Sequence, residues 1–149
     1  MLIRRATAED TDAMAKVWLA SALTAYADIF PADAPKPTMA ALVASLGGAG
    51  GFVAVVDGEV VGLVQADDGW LSHLYVRPDH WGGGIGGQLH GAALDHLRDV
   101  GCDRASLWVL RDNTPARAMY ERRGWVLTDR VRPVYAPAGI DDVGYDRDL

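Results

Sequence analysis

The chain has 149 residues, 50% of them hydrophobic and 23% charged, which is enough apolar material for one buried core and excludes an intrinsically disordered chain. With 14 Lys and Arg against 20 Asp and Glu the net charge is −6, which excludes a protein that works by neutralising nucleic-acid phosphates. The single cysteine, Cys102, excludes a disulfide framework and a multi-cysteine metal site. No apolar signal-peptide core follows Arg4 and Arg5. Residues 37–56 carry no charge, but Gly47, Gly48, Gly50 and Gly51 interrupt them, so they read as helix, loop and strand and not as a membrane span. A cytoplasmic, single-domain protein is expected, with no membrane or nucleic-acid partner.

A strand is predicted over residues 2–5. Thr7, followed by Glu9 and Asp10, has the form of a helix start, a hydroxyl cap and then acids where the helix dipole favours them. Met14, Val17, Trp18 and Ser21 share one face of that helix. Residues 26–37 are irregular, with Pro31, Pro35 and Pro37, and residues 38–46 form a short second helix. Residues 52–56 and 59–66 are apolar runs joined by Asp57-Gly58, which predicts a hairpin. Asp67-Asp68-Gly69 leads into a third strand over residues 70–76. The helix after the glycine-rich stretch has Ile85, Leu89, Ala93 and Leu97 at four-residue spacing and ends at Gly101. A strand over 105–110 follows. Thr114 and Pro115 open another helix, closed by Gly124, and strands over 125–132 and 143–148 finish the chain. The order, antiparallel strands first and a βαβ crossover in the middle, predicts a mixed, mostly antiparallel α/β sheet with helices on both faces.

Five of the six residues Gly82, Gly83, Gly84, Ile85, Gly86 and Gly87 are glycine. They match a dinucleotide fingerprint literally, but three antiparallel strands precede them and Arg77-Pro78-Asp79-His80-Trp81 separate them from their strand. No Gly-Lys-Ser/Thr follows, as a nucleotide P-loop requires. The physical content survives both objections. Successive glycines expose backbone N–H groups, and the helix they open adds its positive end, which together suit a pyrophosphate.

The run Leu74-Tyr75-Val76-Arg77-Pro78-Asp79-His80-Trp81-Gly82-Gly83-Gly84-Ile85-Gly86 resembles the acetyl-CoA-binding motif of the GNAT superfamily of N-acetyltransferases, Gln/Arg-x-x-Gly-x-Gly/Ala after a strand ending in Val-x-Pro. Gly84 and Gly86 match its glycines, and Trp81 stands where the family has Gln or Arg. Asn113, Ala116, Tyr120, Gly124 and Trp125 resemble a second family segment, Asn-x-x-Ala-x-x-x-Tyr-x-x-x-Gly-Phe, with Trp for Phe. Ile3-Arg4-x-Ala6-Thr7-x-x-Asp10 is similar to the family's opening strand and helix, so the resemblance covers nearly the whole chain.

The resemblance implies direct transfer of an acetyl group from acetyl-CoA to a primary amine, with no metal. It implies that the glycine stretch holds the pyrophosphate, that backbone groups of Leu74, Tyr75 and Val76 pair with the pantetheine arm, and that Asn113 contacts the cofactor. Tyr120 would donate its phenolic proton to the departing sulfur. His73 is a candidate base, yet strict alternation puts it with Leu71 and Tyr75, opposite Leu74 and Val76, unless the strand kinks; a half-buried histidine with no role stays open. Trp18, Tyr26, Phe30 and Tyr135, the last in a late loop, are the candidate lining for a small-molecule amine. Family habit implies a homodimer. Two other readings remain: an acyl-CoA-binding sensor that keeps the fold without catalysis, and a dinucleotide-binding module.

Overall fold

Alternation along the strands decides which helix covers which face of the sheet. The computed structural model describes residues 1–149. Its strands are β1 (Leu2–Arg5), β2 (Gly51–Val56), β3 (Glu59–Asp67), β4 (Trp70–Val76), β5 (Arg104–Leu110), β6 (Val126–Tyr135) and β7 (Ile140–Asp148), in the spatial order β1-β2-β3-β4-β5-β7-β6. The helices are α1 (Thr11–Ala25), α2 (Met39–Ser45), α3 (Ile85–Asp99) and α4 (Thr114–Arg122). Val53 and Leu63 pack with Met14 and Val17 of α1. Their neighbours Ala54 and Val64 face the other way, into the main core with Leu89, Ala93 and Leu97 of α3 and Tyr120 of α4. Helices therefore cover both faces of a mostly antiparallel sheet, as the element order predicts.

The first two hairpins turn on Asp57-Gly58 and Asp68-Gly69. All four residues have positive φ, between 51° and 80°, which matches the right-handed twist of the flanking strands. Residues 37–56 divide into α2, a connection and β2, and no helix in the chain is long and apolar enough to cross a membrane.

Three boundaries differ from the sequence expectation. Helix α1 begins at Thr11, because Ala8–Asp10 first make a 3-10 turn. Asp10 is the anchor there: it accepts from the Thr7 N–H at 2.7 Å and from Arg4 at 2.8 and 3.0 Å. The cap of α4 is Asn113, whose Oδ1 accepts from the Ala116 N–H at 3.3 Å, and Thr114 is already inside the helix. Strands β6 and β7 extend toward each other as far as the pair Tyr135–Ile140, so the expected late loop shrinks to one tight turn. Breaks in the β6–β7 register, after Leu127 and after Pro133, hide this length from a strict alternation count.

Candidate active site

The sheet opens in its middle. Strands β4 and β5 run parallel and pair only at Trp70–Ser106, after which they diverge. Parallel neighbours need continued pairing to stay together; here the βαβ crossover brings the strands side by side at one end only. A cleft of about 1240 Å³ fills the gap. Its walls are residues 70–76 of β4, the end of β5, the start of α4, the glycine loop, the last turn of α1 and parts of β6 and β7.

At one end the chain leaves β4 through Arg77 and Pro78 and enters α3 through Gly84. Gly82 and Gly84 both have φ of +83°, and a Cβ at either would meet nothing within 4 Å, so backbone conformation alone requires glycine there. The first hydrogen bond of α3 runs from the Gln88 N–H to the Gly84 carbonyl at 3.2 Å. The amides of Ile85, Gly86 and Gly87 therefore have no helical partner and sit at the positive end of a 15-residue helix. Such a helix start, with free amides and a positive end, is chemically suited to an anion. Gly82, Gly84, Ile85 and Gly86 line the cleft, whereas Gly83 and Gly87 lie outside its lining. Gly87 leaves room for the Arg123 guanidinium, which a Cβ would strike. Trp81 is half exposed, and its indole N–H donates to the Val76 carbonyl at 2.6 Å, tying the loop to the end of β4. Asn113 and Ala116 line the cleft as well, so the N-terminal end of α4 opens onto it. Arg117 is engaged by the Tyr145 hydroxyl and the Arg111 carbonyl, at 3.0 Å each.

Tyr120 projects from α4 into the cleft, edge-on to Trp125 at 5.9 Å between centroids. Burial pushes its phenol well above the ordinary value, with the nearby Tyr26 adding to the effect. The hydroxyl is therefore protonated at any physiological pH.

The register of β4 against β3 answers the His73 question. Gln65 pairs with His73 and Ala66 with Leu71, so Ser72 is an extra residue and β4 has a bulge. Leu71 is turned to the same side as Leu74 and Val76, all three packing on the main core. His73 and Tyr75 point to the α1 side: the His73 ring lies 4.3 Å from Trp18 and 6.4 Å from Tyr75, and Trp18 stacks on Tyr75 at 5.4 Å. The expected company of His73 with Leu71 is thus corrected by the bulge, while its company with Tyr75 stands. Burial pushes the His73 pKa below 6.5, partly offset by a hydrogen bond to the backbone of Ser45, so its ring is neutral at pH 7.

Trp18, Tyr26 and Phe30 lie along the cleft on this side, and the Tyr26 and Tyr75 hydroxyls are 3.5 Å apart. Tyr135 does not reach it: the tight β6–β7 turn carries that side chain outside the lining. Asp67 also serves elsewhere, accepting from the Gly50 N–H at 3.0 Å and from Gln65. Sequence reasoning missed Trp70, Trp108, Arg132 and Asp142, which pave the floor where β5, β7 and β6 lie uncovered by any helix. Ala105, Leu107 and Val109 pack on the core, so Trp108 stands on the opposite face, an outward tryptophan whose spacing was readable.

The comparisons with known proteins agree with this geometry. The model of the acetyltransferase (GNAT) family matches residues 18–125. An uncharacterized N-acetyltransferase of Archaeoglobus fulgidus is 34% identical over 133 residues, 80% of this chain and 89% of that protein. The mycothiol acetyltransferase of Streptomyces coelicolor is 43% identical over 84 residues; the match takes in 52% of this chain and only 27% of that longer protein. The crystal structure of the PaiA N-acetyltransferase from Thermoplasma acidophilum, in complex with coenzyme A, superposes with a TM-score of 0.77 at 18% identity over 99% of this chain and 98% of that one. The chain belongs to the GNAT acetyltransferase family.

Proposed function

We propose that the chain is an acetyl-CoA-dependent N-acetyltransferase whose acceptor is the primary amine of a small molecule. The observation that carries this reading is the single-rung junction of β4 and β5, with a glycine cradle at one end of the gap and a protonated tyrosine inside it. The residues present fit coenzyme A. The free amides of α3 suit the diphosphate, and the unpaired edge of β4 past Trp70 offers backbone groups to an extended amide-bearing arm.

Acetyl-CoA supplies the acyl group as a thioester: the amine nitrogen bonds to the carbonyl carbon and the carbon–sulfur bond breaks. Two protons must then move. His73, neutral at pH 7, takes the proton of the amine, directly or through one water. Tyr120 gives its phenolic proton to the sulfur, and its high pKa keeps that proton available up to alkaline pH. Backbone N–H groups on the free edge of β4 orient the thioester carbonyl, where negative charge develops. A floor open on the α1 side lets the amine approach from the face opposite α3 and α4.

The test is release of free CoA thiol from acetyl-CoA by the purified chain against a panel of primary amines. Acetylated product formed in equal amount supports the reading. Tight acetyl-CoA binding with no release for any amine overturns it in favour of a binding module.

A further inference from the structure

Arg132 is the one arginine or lysine among the residues lining the cleft. Its Nε donates to Asp142 Oδ2 at 2.9 Å, and its guanidinium carbon lies 4.6 Å from the centre of the Trp108 ring. Trp108 in turn stacks on Trp70 at 6.1 Å. The guanidinium is thus held at its base and across its face, while its side chain remains 52% exposed and both Nη groups lack a protein partner. A planar fork held in this way matches a carboxylate in two parallel hydrogen bonds.

Asp142 is the complement. Its side chain is only 11% exposed, Arg132 occupies one oxygen, and the residue lines the same cleft. A cross-strand ion pair serving only to hold the edge strand would contribute little at this exposure and would not need a sunken carboxylate. The positions also have a polarity. Asp142 pairs with Leu110, at the open end of β5, and Arg132 lies one strand further out, opposite Asp142 on β6. The two charged groups touch each other across this rung, so they meet a ligand whose amine and carboxylate are themselves only one or two carbons apart. The negative group is nearer the gap where acetyl transfer takes place, and the positive group is further from it.

We infer that the acetyl acceptor is an amine carrying a carboxylate one or two carbons away, such as a free amino acid, with its carboxylate on the Arg132 fork and its nitrogen beside Asp142. This rests on the acetyltransfer reading and narrows it. The chain's overall acidity, which on its own suits a basic acceptor, is overruled locally by this one fixed cation.

The experiment compares CoA release for free amino acids with that for their carboxamides, which lack the anion but carry a less basic and intrinsically more available amine. The inference predicts kcat/KM at least about tenfold higher for the acids, the scale of a charge-assisted hydrogen bond. In Arg132→Gln the acid-to-amide ratio falls toward one through a raised KM, while the rise in melting temperature caused by acetyl-CoA is retained. Arg132→Lys, which keeps the charge without the fork, gives an intermediate ratio and serves also if the glutamine variant does not fold. Preference for the amides, an Arg132→Lys ratio equal to that of the parent, or no turnover of any acid overturns the inference. Turnover of amides alone leaves the acetyltransfer reading standing. No stabilisation by acetyl-CoA overturns both.

Discussion

Trp70 of β4 and Ser106 of β5 form the single rung joining the two halves of the sheet, fastened by a 2.8 Å hydrogen bond from the Ser106 N–H to the Gly69 carbonyl. The cleft follows from the loss of pairing beyond it. The free edge of β4, the glycine cradle of α3 and the cap of α4 converge on the gap from one face. Trp18, His73 and Tyr26 reach it from the other.

Replacing Tyr120 by Phe removes one oxygen and leaves the packing against Trp125. The expected outcome is a fall in kcat of about 100-fold, the scale of a lost general acid, with acetyl-CoA affinity within about twofold of the parent. Because burial pushes the phenol far up, no alkaline loss of rate from this residue is expected below pH 10. Steady-state kinetics from pH 6 to 10 check both points; an unchanged kcat would remove Tyr120 from the chemistry.

His73 acts as a base only when neutral. Its pKa is lowered by burial, so the His73 limb of kcat/KM has its midpoint below 6.5 and is complete by about pH 7, and any further rise belongs to the acceptor's own ammonium. His73→Gln is expected to lose that acid limb and about 100-fold in kcat/KM. A variant that keeps the same limb would assign it to another group.

Gly84→Ala isolates the backbone requirement of the cradle. No atom lies within 4 Å of the new Cβ, so only the left-handed φ of +83° resists it, at about 1–2 kcal/mol. If α3 responds by shifting its first turn, the Kd for CoA rises about tenfold and kcat at saturation changes little. Calorimetric titration reads this directly, and equal affinity in a variant whose first α3 turn has shifted would count against the amides of Ile85 to Gly87 as the diphosphate site.

His90 offers a stability test away from the cleft. The Trp125 indole N–H donates to His90 Nε2 at 2.9 Å inside the core. Burial, aided by Arg123, Arg147 and Arg98, lowers the His90 pKa from 6.5 to about 4. The folded state therefore favours the neutral ring. Its contribution is complete above pH 6.5 and is lost as the pH falls toward 4, amounting to about 2 kcal/mol between pH 7 and pH 5. His73, whose pKa burial also lowers, adds a loss of the same sign in this window, so urea unfolding at the two pH values in the parent and in His90→Gln measures the His90 part by difference. The carboxylates shifted here, Asp10, Asp79 and Asp146, are all lowered and titrate below this window. Equal stability at pH 7 and pH 5 would contradict the account.

The chain order of the elements, the two-residue turns and the glycine-rich helix start were legible because each rests on local chemistry: alternation, positive φ, or the exposed amides at a helix start. Alternation gave the direction of His73, beside Tyr75 and opposite Leu74 and Val76, but misplaced Leu71, since the extra residue Ser72 resets the faces of β4 and only pairing with β3 reveals it. The floor of the cleft was hidden for a similar reason. Arg132 and Asp142 are ordinary charged residues in sequence, and they meet only because an irregular β6–β7 register sets them opposite each other. Tyr135 failed as a lining residue through the same irregularity.

The most direct test of the central claim is the melting temperature with saturating acetyl-CoA, CoA or NAD. At about 100 times its dissociation constant, a ligand bound only to the folded chain adds about 2.7 kcal/mol, or roughly 5–10 °C for a domain of this size. A rise of that size with acetyl-CoA and CoA, absent with NAD, is the predicted result. A rise with NAD alone, or none with either acyl carrier, would contradict the assignment of the gap between β4 and β5 to an acyl-CoA.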